Sequence, residues 1–148
     1  MKLLVATDFS PSATEVLRVA AELASGLSAD THILHVAVPE TSLIGGDANE
    51  AAGHRGSVEP CSEEERLVRE AAEAMTARGL TASGEVVAGP CADVILQQAE
   101  DIDADMIVVG SHGFGAVLRA LLGSVSATIL KKARCPVVVV PPARSKRS

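Results

Sequence analysis

The stretch "DMIVVGSHGFGAVLRALLGSVSATILKKARCPVVVV", residues 105–140, decides the fold. It opens on an apolar run, "DMIVVG" (105–110), and closes on another, "CPVVVV" (135–140). Between them lie glycines, small polar residues and a helical segment predicted from Ser124 to Ala133, with an extra turn near Val117 to Leu121. Runs that are apolar on both faces suit a parallel sheet covered on both sides. Three earlier segments repeat the pattern: "LLVAT" (3–7), "THILHVAV" (31–38) and "GEVVA" (84–88).

Helical segments separate these runs. Ser10-Pro11, or Ser12-x-x-Glu15 as a capping box, opens the first ahead of Val16, Ala20, Leu23 and Leu27. Ser62-x-x-Glu65 opens the second, whose acidic first turn (Glu63, Glu64, Glu65) suits the positive end of a helix dipole, and Gly79 ends it. A third runs from Cys91 to Ile102. The βαβαβαβαβ order predicts an α/β fold, a doubly wound parallel sheet with right-handed crossovers and strand order 3-2-1-4-5 or 2-1-3-4-5. Either order places ligands outside the carboxyl ends of the strands, where the order reverses. In the first order that point lies between strands 1 and 4, which end near Asp8 and Gly110.

Composition narrows the partners. The 148 residues make one domain, 1–143, with a basic tail at 144–148 and a turn-rich stretch at 39–60 expected to be disordered or a lid. Two phenylalanines and no tyrosine or tryptophan leave almost no stacking platform for bases, and a net charge of -6 opposes a polyanion, so no nucleic-acid partner is expected. The charge is uneven: residues 40–105 hold fifteen acidic and four basic side chains, residues 106–148 seven basic and none acidic. Lys131, Lys132 and Arg134 complement the negative end of a helix. Cys61, Cys91 and Cys135 form no disulfide or zinc pattern, which suits a reducing, cytoplasmic setting. The apolar run before Asp8 is too short for a signal-peptide core, and no run approaches a membrane span.

The glycines admit two readings. Gly110 and Gly113 could make a tight turn and Ser124 or Ser126 cap a helix; equally, glycine lets backbone approach an anion, and Gly123-Ser124 opens a helix whose N–H groups and dipole favour one. A Walker loop is excluded because no Gly-Lys pair exists, and a dinucleotide fingerprint starting at Gly113 breaks at Leu118. A response-regulator site needs clustered acids at the first strand, where Asp8 stands alone. Asp8 can both cap the first helix and contact a ligand. His112 reads as a solvated loop residue, His54 lies in the 39–60 stretch, and His32 and His35 fall on opposite faces of one strand and cannot share a metal. No water-activating base or arginine finger is visible, so rapid hydrolysis is not expected.

Gly110-x2-Gly113-x9-Gly123-Ser124 resembles the nucleotide-binding motif of the universal stress protein family. "ATDFS" (6–10), "LHV" (34–36), "DADMIVVGSHG" (103–113) and "CPVVVV" are similar to further landmarks of that family. The resemblance implies a 3-2-1-4-5 sheet of the adenine nucleotide alpha hydrolase-like type and a homodimer; strand 5, "PVVVV" (136–140), is an exposed-edge candidate that self-pairing would cover. It also implies binding of ATP, or ADP or AMP, with Mg or Mn held through the phosphates. Asp8 would contact ribose or a metal-linked phosphate network, and backbone at Val36 would recognise adenine. Ala6, Thr7, Val109, Gly110, Ser111, His112, Gly113, Gly123, Ser124, Val125 and Ser126 would line the remaining ribose and phosphate positions. Departures from the family pattern are Ala6 where proline is frequent, Ser126 where threonine is common, and a proline displaced by one in Gly89-Pro90-Cys91. The function implied is a nucleotide-dependent regulatory module acting on a protein partner. The alternatives are a nucleotide-independent dimeric interaction protein and a slow ATPase.

Overall fold

A computed structural model describes residues 1–37, 62–111 and 122–143. The 39–60 stretch, the extra turn at 117–121, the tail at 144–148, and Cys61, His54, His112 and Gly113 lie outside the described residues. The elements are β1 (Lys2–Thr7), α1 (Ala13–Leu27), β2 (Asp30–Ala37), α2 (Ser62–Ala77) and β3 (Ala82–Ala88), followed by α3 (Cys91–Asp101), β4 (Met106–Gly110), α4 (Ser124–Lys132) and β5 (Val137–Val140). The strands form one parallel sheet in the order β3-β2-β1-β4-β5, so the first of the two orders left open by element succession is the one adopted.

Strand alternation divides the core into two layers. Leu4, Ala6, Leu34, Val36, Ile107 and Val109 face α3 and α4, where they pack on Ile95, Ala99 and Ile129. Val5, Ile33, Val108 and Val140 face α1 and α2, meeting Val16, Ala20, Ala21 and Met75. Burial on both faces explains why β1 and β4 read as continuous apolar runs. Leu3 to Thr7 lie opposite Thr31 to His35, which leaves Val36 and Ala37 extending beyond the end of β1.

Three helices end in the same way. After α2, Gly79 takes a φ of +82° while its N–H donates to Thr76 and that of Leu80 donates back to Met75, the paired bonds of a Schellman motif. Ser28 (φ +51°) and Asp103 (φ +53°) hold the corresponding positions after α1 and α3, with Ala29 and Ala104 donating to Ala24 and Ala99. The expected capping box of α1 does not form: Ser12 has helical dihedrals and its side chain makes no cap hydrogen bond. Glu15 is instead bonded by Arg18, whose hydrogen bond holds its carboxyl below the usual range.

Glycine matters differently at position 84. A Cβ there would collide with Cγ1 of buried Val68, so the glycine lets α2 sit close on β3. Gly84→Ala is expected to cost about 1–3 kcal/mol through overpacking, and Gly79→Ala about 1 kcal/mol through its positive φ. Ser28→Gly should instead add about 0.5 kcal/mol by relieving a left-handed serine. Urea unfolding of the three variants checks the two signs.

Candidate functional site

The order reverses between β1 and β4, and their carboxyl ends, with the start of α1, enclose a small concavity lined by Ala6, Thr7, Asp8, Ser12, Ala13 and Gly110. Wider grooves lie elsewhere, one of them running along α2 and β3 past Val68, Ala72, Gly84 and Val86. None of the site residues named from the sequence lines that groove. The crevice is described only on the sides formed by β1, α1 and β4, because residues 112–121 lie outside the described residues.

Ala6, Val36 and Val109 are buried, with side chains committed to the core, so only their backbone is available to a ligand. The Thr31 N–H and the Ala37 carbonyl point to the β3 side, whereas the Asp30 N–H points to β1. By alternation the peptide groups of Val36 face the β1 side, past which β1 has ended. The backbone expected to recognise adenine is thus turned toward the crevice.

At the end of β1, Thr7 is buried and its Oγ1 accepts the Phe9 N–H at 3.2 Å. Oδ1 of Asp8 accepts the Ser10 N–H at 2.9 Å, closing an Asx turn into α1. The Asp8 side chain thus shapes the turn that leads into α1, whose own N-cap is Ser12. Phe9, between them, has a φ of +55°, a conformation that costs an ordinary residue about 1–2 kcal/mol.

The second strand end is tied to α4. The Ser111 N–H donates to the Val140 carbonyl and its own carbonyl accepts the Gly123 N–H, both at 2.8 Å. Buried Ser126 donates Oγ–H to the Gly110 carbonyl at 2.6 Å. A hydroxyl has one proton, so with that bond in place Ser126 offers a phosphate its backbone N–H rather than its side chain. Gly123 is the N-cap, with φ −66° and ψ 157°, and Ala127 makes the first intrahelical bond, to the Gly123 carbonyl at 2.9 Å. The N–H groups of Ser124, Val125 and Ser126 precede that bond and point out of the helix toward the carboxyl end of β4. Ser124 is exposed and Val125 packs against the core. No positive φ demands glycine at 110 or 123. That favours close approach over conformational need as the reason for both.

Charge separates this helix start from the others. The first turns of α1, α2 and α3 carry Glu15, Glu63 to Glu65 and Asp93, respectively, whereas α4 has no acid there and ends on Lys131 and Lys132. The dipole of α4 is thus compensated by side chains only at its carboxyl end.

Two neighbours of Asp8 escaped sequence reasoning. Cys91 opens α3; burial first, and the Asp8 carboxylate second, push its thiol from the ordinary 9.0 up to about 12. His35, on the α1/α2 face of β2, is buried and bonded to the Thr7 carbonyl. A buried polar residue inside an apolar strand was the available signal for it. His32, on the other face, meets Ser83 and Glu85, so the two histidines are separated by the sheet as their spacing requires.

A doubly wound parallel sheet with an acid at the end of β1 and an acid-free helix start beside β4 defines an α/β protein with a crevice at its switch point. Residues 1–141 match the universal stress protein family, and the chain belongs to that family. Universal stress protein A homolog 2 of Coxiella burnetii is 34% identical over 145 residues, covering 94% of this chain and 93% of that protein. A universal stress protein solved in complex with cAMP superposes with a TM-score of 0.70 at 23% identity, covering 97% of this chain and 98% of the other. One from Archaeoglobus fulgidus in complex with dAMP gives 0.65 at 23%, covering 95% and 97%.

Raised thiol pKa values carry a pH consequence. Unfolded thiols ionise from about pH 9 while folded Cys91 stays protonated to about 12, and Cys135 is shifted in the same direction by burial. Stability from this source is therefore complete below pH 9 and lost as pH rises toward 12. Urea unfolding at pH 8 and pH 10 should show the native chain losing more stability across that interval than Cys91→Ser.

Proposed function

We propose that this chain binds an adenine nucleotide, ATP foremost, in the crevice between β1 and β4 and acts as a nucleotide-dependent regulatory module of the stress response. The observation that carries the proposal is the start of α4. Its free-pointing N–H groups, acid-free first turn and glycine N-cap are held at the end of β4 by Ser126. Such an arrangement suits phosphate without a lysine clamp. A charge-assisted hydrogen bond contributes roughly 1.5–3 kcal/mol, so a few backbone donors support useful affinity. Complexes of fold relatives with cAMP and dAMP support adenine as the base; in this reading the peptide groups of Val36, beyond the end of β1, would be its edge partners. His112 and Gly113 complete the site in this reading.

The donor set fits a nucleotide better than a resident metal. Asp8 is the one carboxylate among the described residues of the crevice, so Mg or Mn would enter with the phosphates, and Asp8 would serve the ribose or that metal. Nucleotide occupancy would alter the surface offered to a protein partner. A homodimer through the outer edge of β5, with its four valines, is part of the same reading, and analytical ultracentrifugation measures it. Among the described residues no helix is long and apolar enough to cross a membrane, and Cys91 and Cys135 are unpaired, which supports a cytoplasmic setting.

Gly123→Val tests the site: valine accepts the φ and ψ found there, and because Gly123 is buried, unfolding curves recorded beside the titration establish that the variant is folded. Calorimetry is expected to show ATP binding by the native chain and at least about tenfold weaker binding by the variant, about 1.4 kcal/mol or more. Equal affinity of the two chains would place the ligand elsewhere, and no binding by the native chain would sink the reading.

A further inference from the structure

His35 touches the chain on both sides of Asp8. Its Nδ1 lies 2.9 Å from the carbonyl of Thr7, the residue before Asp8. A carbonyl only accepts, so Nδ1 donates to it. Its ring lies 5.3 Å, centroid to centroid, from that of Phe9, the residue after Asp8, at an interplanar angle of 38°. Phe9 is the residue held at positive φ. A backbone in that region persists only where its surroundings hold it.

The imidazole is itself held. Its Nε2 lies 3.2 Å from Oε1 of Glu64 in the first turn of α2, 29 residues along the chain. The ring is about nine-tenths buried, whereas the Glu64 side chain is one-third exposed. Thr7 from β1, Phe9 from the turn and Glu64 from α2 thus converge on one side chain, with Asp8 at the centre of the segment they define.

We propose that His35 is a positioning residue for Asp8, and that through Glu64 it makes nucleotide affinity at the switch point depend on how the first turn of α2 is seated. This rests on the adenine-nucleotide reading of the crevice. His35 touches no ligand in this scheme. It fixes the Thr7 carbonyl and the Phe9 ring, and the Asp8 carboxylate is aimed as a result. A shift of α2 that carried Glu64 away would release the ring and loosen the turn.

The test is a double-mutant cycle read by ATP calorimetry, with unfolding curves recorded for each chain. His35→Leu keeps bulk and loses both hydrogen bonds; it is expected to weaken ATP binding about tenfold. His35→Asn places an amide donor where Nδ1 was and should recover affinity to within about threefold of native. In an Asp8→Asn background, whose amide oxygen still accepts from Ser10, adding His35→Leu should cost less than about twofold, because the group it positions is already changed. If His35→Leu does not fold, Glu64→Gln takes its place, with an expected loss of about threefold that likewise disappears beside Asp8→Asn. Unchanged affinity in the folded single variant, or full additivity with Asp8→Asn, overturns the positioning role while the nucleotide reading stands. Failure of the native chain to bind ATP overturns both.

Discussion

Handedness constrains everything else in this fold. Parallel strands joined by right-handed crossovers can extend a sheet in only one direction while their helices stay on one face. The chain adds β2 and β3 to one side of β1 with α1 and α2 on one face, then returns to the other side with β4 and β5 and places α3 and α4 on the opposite face. The reversal leaves the carboxyl ends of β1 and β4 side by side. An almost wholly aliphatic core can fill both layers without a large aromatic, which explains how a chain with two phenylalanines packs so completely.

At that reversal two polar ties turn a topological gap into a shaped site. Ser126 and Gly123 pin the first turn of α4 to the end of β4 through the carbonyls of Gly110 and Ser111. Asp8 closes its turn onto Ser10, and His35 braces the residues on either side of it. Each tie satisfies a polar group that would otherwise be costly at the margin of an apolar core. The same bonds leave the amide donors of the first turn of α4 pointing outward.

Much of this was legible in the residues. Apolar runs located all five strands, because burial on both faces leaves little room for polar side chains. The boundaries that slipped have identifiable reasons. β3 begins at Ala82 rather than Gly84, since pairing with Thr31 and His32 imposes strand geometry on "AS", which has weak intrinsic preference for it. Gly79 marked its helix end, whereas Ser28 and Asp103 did not, because a left-handed serine or aspartate is set by the chain around it. Strand order was not decided by element succession alone; the resemblance implied it, and the sheet has it. Asp8 and Gly110 were brought together by the switch-point rule. His35 was missed because its partners, 28 and 29 residues away in opposite directions along the chain, become neighbours only once β1 and α2 are both in place.

The central claim is that the ligand sits where α4 points, and amide chemical shifts of an isotope-labelled chain titrated with ATP measure it most directly. The prediction is a set of saturable shifts concentrated at Asp8, Val36, Gly110, Gly123, Ser124, Val125 and Ser126. Shifts clustered instead along the α2–β3 groove at Val68, Ala72, Gly84 and Val86, or no saturable shifts at all, would contradict it.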